Sequence, residues 1–148
     1  MSKLLNQVDL VKKDGSLEKA DVALKHKLVA FYFSASWCPP CRRFTPILKD
    51  FYEEVGNDEF EVVFVSSDRS IEDLIKYMNE HHGDWYFLPP DNPKNDFLKD
   101  KYRVKSIPKL IVVRGDGEIV CEDARSELQS KKTAPNSLLR KWKQQSRS

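Results

Sequence analysis

The chain has 148 residues, 40% of them hydrophobic and 32% charged, the size and make-up of one globular domain. Five glycines and eight prolines exclude a low-complexity chain, and three cysteines are too few, and odd in number, for a disulfide-stapled secreted scaffold. The net charge is only +2, and no run approaches the ~18 apolar residues that span a bilayer.

Met1 to Gln7 lack the apolar stretch of a secretory signal, and Ser2-Lys3-Leu4 spells a peroxisomal tripeptide at the wrong end. The expectation is a soluble intracellular protein, in the cytoplasm with the nucleus as a second location. Val8-Asp9-Leu10-Val11 alternates apolar and polar residues before Asp14-Gly15, which predicts a short hairpin ending near Leu17. Asp21 is placed to cap a brief helical turn through Val22 and Leu24. Residues 27–33 form a nearly continuous apolar run rich in β-formers, the pattern of a buried central strand. From Cys41 onward the period changes: Phe44, Ile47, Leu48, Phe51 and Val55 predict a helix that Gly56-Asn57 closes, with Pro46 inside it. Residues 60–65 read as a second buried strand. Ser70 then caps a helix carrying Ile71, Leu74, Ile75 and Met78 to Gly83.

Residues 85–93 read as a loop punctuated by three prolines, followed by a short helix around Phe97, Leu98 and Tyr102. Residues 109–113 are a strand, Asp116-Gly117 a turn, and 118–121 its hairpin partner. Leu138, Leu139 and Trp142 put an apolar stripe on a terminal helix. The order predicts an α/β domain, a central mixed sheet with helices on both faces, over 1–148. Residues 1–26 form an N-terminal hairpin extension and 127–148 a basic helix and tail. Residues 131–148 hold six basic residues and no acid, leaving −4 on the rest, and a solvated helix face accounts for that run.

The chemistry concentrates in Trp37-Cys38-Pro39-Pro40-Cys41. A C-x-x-C that follows a buried strand and opens a helix sets its first cysteine among unpaired N–H groups at the positive end of the helix dipole. Both favour thiolate over thiol, so Cys38 is the expected nucleophile. Cys41 lies one turn further in, shielded yet close enough to close a disulfide, and is the expected resolving thiol. Pro39 and Pro40 fit a first helical turn, where a missing N–H costs nothing. Cys38 would attack a substrate disulfide, and Cys41 would then attack Cys38 sulfur and release the reduced product. Half of a zinc site is the competing reading. It is set aside because His81-His82 are adjacent, whereas zinc pairs are three to five residues apart. A plain structural disulfide is set aside on the cysteine count. Pro108 opens a strand that otherwise reads as buried, which leaves a cis bond and a simple strand start both open.

Residues 31–46, with Phe31-Tyr32-Phe33-Ser34-Ala35-Ser36 ahead of the cysteines and Arg42-Arg43-Phe44-Thr45-Pro46 behind, resemble the active-site segment of tryparedoxins and nucleoredoxins. Phe60-Glu61-Val62-Val63-Phe64-Val65-Ser66-Ser67-Asp68 and Tyr102-Arg103-Val104-Lys105-Ser106-Ile107-Pro108-Lys109-Leu110 resemble the same branch. The resemblance runs from about Val8 to Val120. It implies a thioredoxin fold, protein-disulfide reductase activity without a cofactor, and a cis-proline at Pro108 facing Cys38 and Cys41. It also implies substrate-binding positions at Trp37, Pro39, Pro40 and Ile107, with Ile107 backbone pairing the substrate strand. The partners expected are disulfide-bearing proteins and an external thiol reductant. A redox-controlled signalling module and a trypanothione-linked carrier to peroxidases are the alternatives. The protein is expected to be a monomer with no membrane and no nucleic-acid partner. Thioredoxins carry a buried Asp six residues before the first cysteine, where this chain has Tyr32, so the base that serves Cys41 is open, with water as the default. Cys121, Trp85, Tyr86, Phe87, Tyr102 and Trp142 are assigned to the core, and His81 and His82 to a helix end.

Overall fold

The computed structural model describes residues 4–147; Ser2 and Lys3 of the N-terminal tripeptide lie outside them. One seven-stranded sheet organises the chain. In chain order the strands are β1 (Asp9–Lys12), β2 (Leu17–Lys19), β3 (Leu28–Ser34), β4 (Phe60–Ser66), β5 (Tyr86–Phe87), β6 (Lys109–Val113) and β7 (Ile119–Cys121). The helices are α1 (Ala20–Ala23), α2 (Pro39–Val55), α3 (Ile71–His81), α4 (Lys94–Lys101), α5 (Ala124–Ser130) and α6 (Pro135–Ser146). Spatially the strands run β2-β1-β5-β4-β3-β6-β7. β3 pairs parallel with β4 and antiparallel with β6, so the sheet is mixed.

The apolar runs at 28–34 and 60–66 are buried at every position, because the two central strands are covered on both faces. Alternation then sorts their side chains. Ala30, Tyr32, Val62, Phe64, Leu110 and Val112 point into one core with α2, α3, α5 and α6. Val29, Phe31, Phe33, Val63, Val65 and Ile111 point into the other, with α1, Leu98 of α4 and Tyr102. Strict period 2 in three adjacent strands is what makes two cores out of one sheet.

Several expectations are corrected. Asp21 does not cap α1: Lys19 is the N-cap, without a side-chain bond, and Asp21 sits in the first turn. Ile71 and Ile75 of α3 are exposed. Leu74, Tyr77 and Met78 form its buried face, and Ser70 Oγ accepts the Asp73 N–H as expected. The 85–93 loop contains a two-residue strand, β5, which bridges β4 and β1. The expected N-terminal hairpin extension is present, and through β1 it pairs with β5 as the edge of the main sheet. Helix α5 was not expected at all; Asp123 caps it by accepting the Ser126 N–H. His82 lies at a helix end as expected, as the C-cap of α3, but it does not face solvent. Its ring is buried against Phe64 and Tyr77 at 4.4 Å each, and Nδ1 accepts the Trp85 indole N–H at 2.9 Å. Gly83 makes this possible, since a Cβ there would stand 2.7 Å from the Trp85 ring.

Candidate active site

The central strand β3 ends at Ser34, and Ala35-Ser36-Trp37 turn the chain into α2. Cys38 is the N-cap of that helix, with extended backbone (φ −98°, ψ 108°), and Pro39 takes the first helical position. In place of the hydroxyl or carboxylate of an ordinary cap, the Cys38 sulfur accepts the Cys41 N–H at 3.4 Å. Both thiols are free. Cys38 retains 5% exposure and Cys41 none, so only the outer sulfur can be reached. Burial, and then the hydrogen bond with Cys38, push the Cys41 thiol up to about 12.

The Ile107–Pro108 bond is cis and lies across from the dithiol. Cys38 Sγ is 4.0 Å from the Ile107 carbonyl oxygen, and the Ile107 side chain packs on Ala35, Cys38 and Cys41. Thus 69 residues of separation close to one contact, because β6 lies beside β3 in the sheet. Trp37 is half exposed and donates its indole N–H to the Ser67 carbonyl at 3.0 Å. Pro39 is exposed and Pro40 partly so.

Residues that the sequence reading left unassigned hold this loop in place. Asp68, just past β4, accepts the Ser36 N–H at 2.7 Å and the Ser36 hydroxyl at 2.5 Å on Oδ1, and the Ser66 hydroxyl at 2.7 Å on Oδ2. Arg42 donates to the Ser36 carbonyl at 2.6 Å, and Arg125 of α5 to the Pro108 carbonyl at 3.4 Å. Neighbouring parallel strands end together, so Asp68 had a signal in the β3–β4 pairing; Arg125 had none, since α5 itself was missed. Tyr32 lies beneath Cys41, its hydroxyl 3.3 Å from the Cys41 carbonyl oxygen. Burial drives that phenol far above its ordinary range, which keeps it protonated. Cys121 is half buried, and its thiol lies 3.4 Å from Glu127 Oε1. Among the described residues no His, Cys, Asp and Glu cluster fit to hold a metal is found.

A family model described as thioredoxin-like matches residues 26–119, from the strand before the cysteines to the hairpin after Pro108. The chain belongs to the thioredoxin-like family. It is 37% identical over 123 residues to mouse nucleoredoxin, covering 80% of this chain but 27% of that protein. The chain thus spans about a quarter of the length of that relative. It is 40% identical to tryparedoxin of Trypanosoma brucei brucei over 124 residues, 81% of this chain and 83% of the relative. Among solved structures, a thioredoxin from Wuchereria bancrofti superposes with a TM-score of 0.82 at 50% identity, covering 95% of this chain and 96% of that one. A tryparedoxin II complexed with glutathionylspermidine superposes at 0.77 with 38% identity, covering 87% and 90%. The fold is the thioredoxin fold, and the family's chemistry is thiol–disulfide redox exchange.

Proposed function

We propose that this protein reduces disulfide bonds in other proteins, with Cys38 as nucleophile and Cys41 as resolving thiol. The observation that carries the reading is the unequal burial of two free thiols at one helix N-terminus. The outer sulfur faces the cis-proline edge and accepts a backbone N–H, while the inner one is closed off. The Cys38 thiolate would attack one sulfur of the substrate disulfide, form a mixed disulfide and release the other sulfur as a thiolate. Cys41 would then displace the remaining substrate sulfur and leave a Cys38–Cys41 disulfide. Two electrons from an external thiol reductant restore the pair. Ile107 would offer its backbone to the substrate strand, and Trp37, Pro39 and Pro40 would line the approach. Their exposure beside Cys38 supports this. The relative solved with glutathionylspermidine makes low-molecular-weight thiols of that class candidate donors, alongside protein reductases. The protein would act as a monomer in a thiol-reducing compartment, with residues 1–148 working as one domain.

Insulin-disulfide reduction with dithiothreitol tests the reading. Wild type should turn over, and Cys38→Ser should fall to the rate of dithiothreitol alone. Cys41→Ser should accumulate a substrate adduct on Cys38. A wild type without turnover, whose Cys38 still reacts with an alkylating agent, would sink the proposal and favour a redox-controlled binding module.

A further inference from the structure

The basic C-terminal run takes no part in the proposed reaction, yet the end of α6 lines a groove of about 810 Å³. The groove lies at the pole of the sheet opposite the dithiol. Cys38 lies just beyond the last residue of β3, whereas Leu28, the first residue of that strand, lines the groove. The seven residues of β3 hold the two ends roughly 20 Å apart. Five lysines and arginines line the groove against two carboxylates, Asp21 and Glu59. The cations come from three segments distant in sequence. Lys25 and Lys27 lie between α1 and β3, Arg114 follows β6, and Lys143 and Arg147 stand at the end of α6.

The walls are tied to one another within the chain. Arg114 donates to the Ser146 carbonyl at 3.3 Å and pairs with Asp116 at 3.1 Å. Lys143 pairs with Glu59, and the Glu59 carbonyl accepts the Leu28 N–H at 3.0 Å. Lys27 pairs with Glu61 at 3.8 Å. Lys25 and Arg147 are left over. Both are exposed, and neither side chain has an ion pair or hydrogen bond among the described residues. Val22 joins them on the groove, a large apolar side chain 62% exposed. The groove is thus preformed, with two open cations and one open apolar contact.

That arrangement selects among anions. Helix α6 brings its C-terminal end, the negative pole of its dipole, which disfavours a compact anion such as phosphate. A nucleic-acid strand binds best on stacking rings, and no Trp, Tyr or Phe lines the groove. Asp21, the lining carboxylate without a cation partner among the described residues, would also repel a continuous phosphate backbone. Separated cations beside an exposed valine instead match carboxylates spaced along an extended peptide that carries an apolar side chain. We infer that this groove docks an acidic, extended segment of a partner protein. Lys25 and Arg147 receive its carboxylates, and Val22 receives its apolar side chain. Because the groove and Cys38 lie at opposite poles, a partner held there leaves the dithiol open. The docking does not depend on the reductase reading.

A fluorescein-labelled, glutamate-rich peptide with one central leucine is the probe, titrated with the full chain and followed by fluorescence anisotropy. Binding should weaken as salt rises, because exposed charges are screened. The double variant Lys25→Ala, Arg147→Ala should bind roughly tenfold more weakly, since each exposed ion pair is a few-fold in affinity. Val22→Ser should weaken binding about threefold through lost apolar contact. Both variants should keep the wild-type Tm, because the replaced side chains are exposed. Amide NMR shifts on titration should gather at residues 25–28, Arg114 and Arg147 and spare residues 36–41. The inference is overturned by no binding, by equal binding of the same peptide with glutamine in place of glutamate, by wild-type affinity in either variant, or by shifts centred on residues 36–41. An oligothymidylate strand or inorganic phosphate that displaces the peptide at lower concentration also overturns it, and assigns the groove to that anion. None of these readouts involves disulfide reduction, so the docking and the reductase reading can fail separately.

Discussion

At the scale of single residues, the same burial that shapes the site also leaves a signature in stability. His82 is enclosed by Tyr32, Phe64, Tyr77 and Trp85, its Nε2 has no partner among the described residues, and burial lowers its affinity for a proton far below that of a free imidazole. The unfolded chain therefore binds a proton at His82 before the folded one does. The stability this residue contributes is present above about pH 6.5 and drains away as pH falls toward the depressed folded value. Urea midpoints of wild type should drop between pH 7 and pH 5, by at most about 1.4 kcal/mol per pH unit from this group. His82→Gln should be less stable at pH 7, and its midpoint should fall less steeply over that interval. Parallel curves for the two proteins would refute the assignment.

At the scale of elements, the Cys38 loop is held less by its own residues than by the end of β4. Asp68 receives two hydrogen bonds from Ser36 and one from Ser66, tying the segment before Trp37 to the strand beside it. Hydrogen bonds to a carboxylate contribute about 1.5–3 kcal/mol where they are shielded, and less where water competes. Asp68→Ala should lower Tm by a few degrees and reduce kcat/KM for insulin several-fold, because the nucleophile loses its fixed approach. A variant with wild-type kcat/KM would show that the loop is held without this carboxylate. The sequence announced β3, α2 and β4 because each has an unambiguous period. It did not announce α5, whose seven residues bury only Ala124 and Leu128. Nor did it announce β5, where two residues are too few to alternate. His82 was misjudged for a related reason: its burial comes from Phe64 and Trp85 on other elements, and no local pattern encodes that.

At the scale of the whole molecule, the C-terminal helix closes the core on the α2 face. Trp142 is fully buried, stands 5.5 Å from Phe51 and 6.1 Å from Phe60 between ring centroids, and donates its indole N–H to Glu127. Trp142→Ala should cost about 3–5 kcal/mol of stability by denaturant unfolding, without preventing Cys38 alkylation in the folded protein. A loss below ~1 kcal/mol would mean that α6 is dispensable to the core. The basic residues on the same helix do not share that role. Lys141 and Lys143 pair with Glu127 and Glu59, and Arg140 lies on the solvent side.

By itself, the sequence determined the order of the main strands and helices, the place of Cys38 at a helix start, and the candidate roles of Cys38 and Cys41. Those follow from periodicity and from the backbone chemistry of a helix N-terminus, which act over a few residues. Only the tertiary structure set Pro108 against Cys38, tied Asp68 to Ser36, and stacked Ser34, Thr45, Tyr32 and Tyr77 under Cys41. Ser34 and Tyr32 share a face of β3, and Cys41 and Thr45 lie one turn apart on α2, so half of that cluster was written locally. Tyr77 joins them from α3 because β4 pairs with β3 and carries that helix back over the same face. Sheet pairing between distant segments is not encoded in any short window of sequence. It is the pairing that turns a dithiol motif into a site with an outer sulfur, an inner sulfur and a floor of hydroxyls.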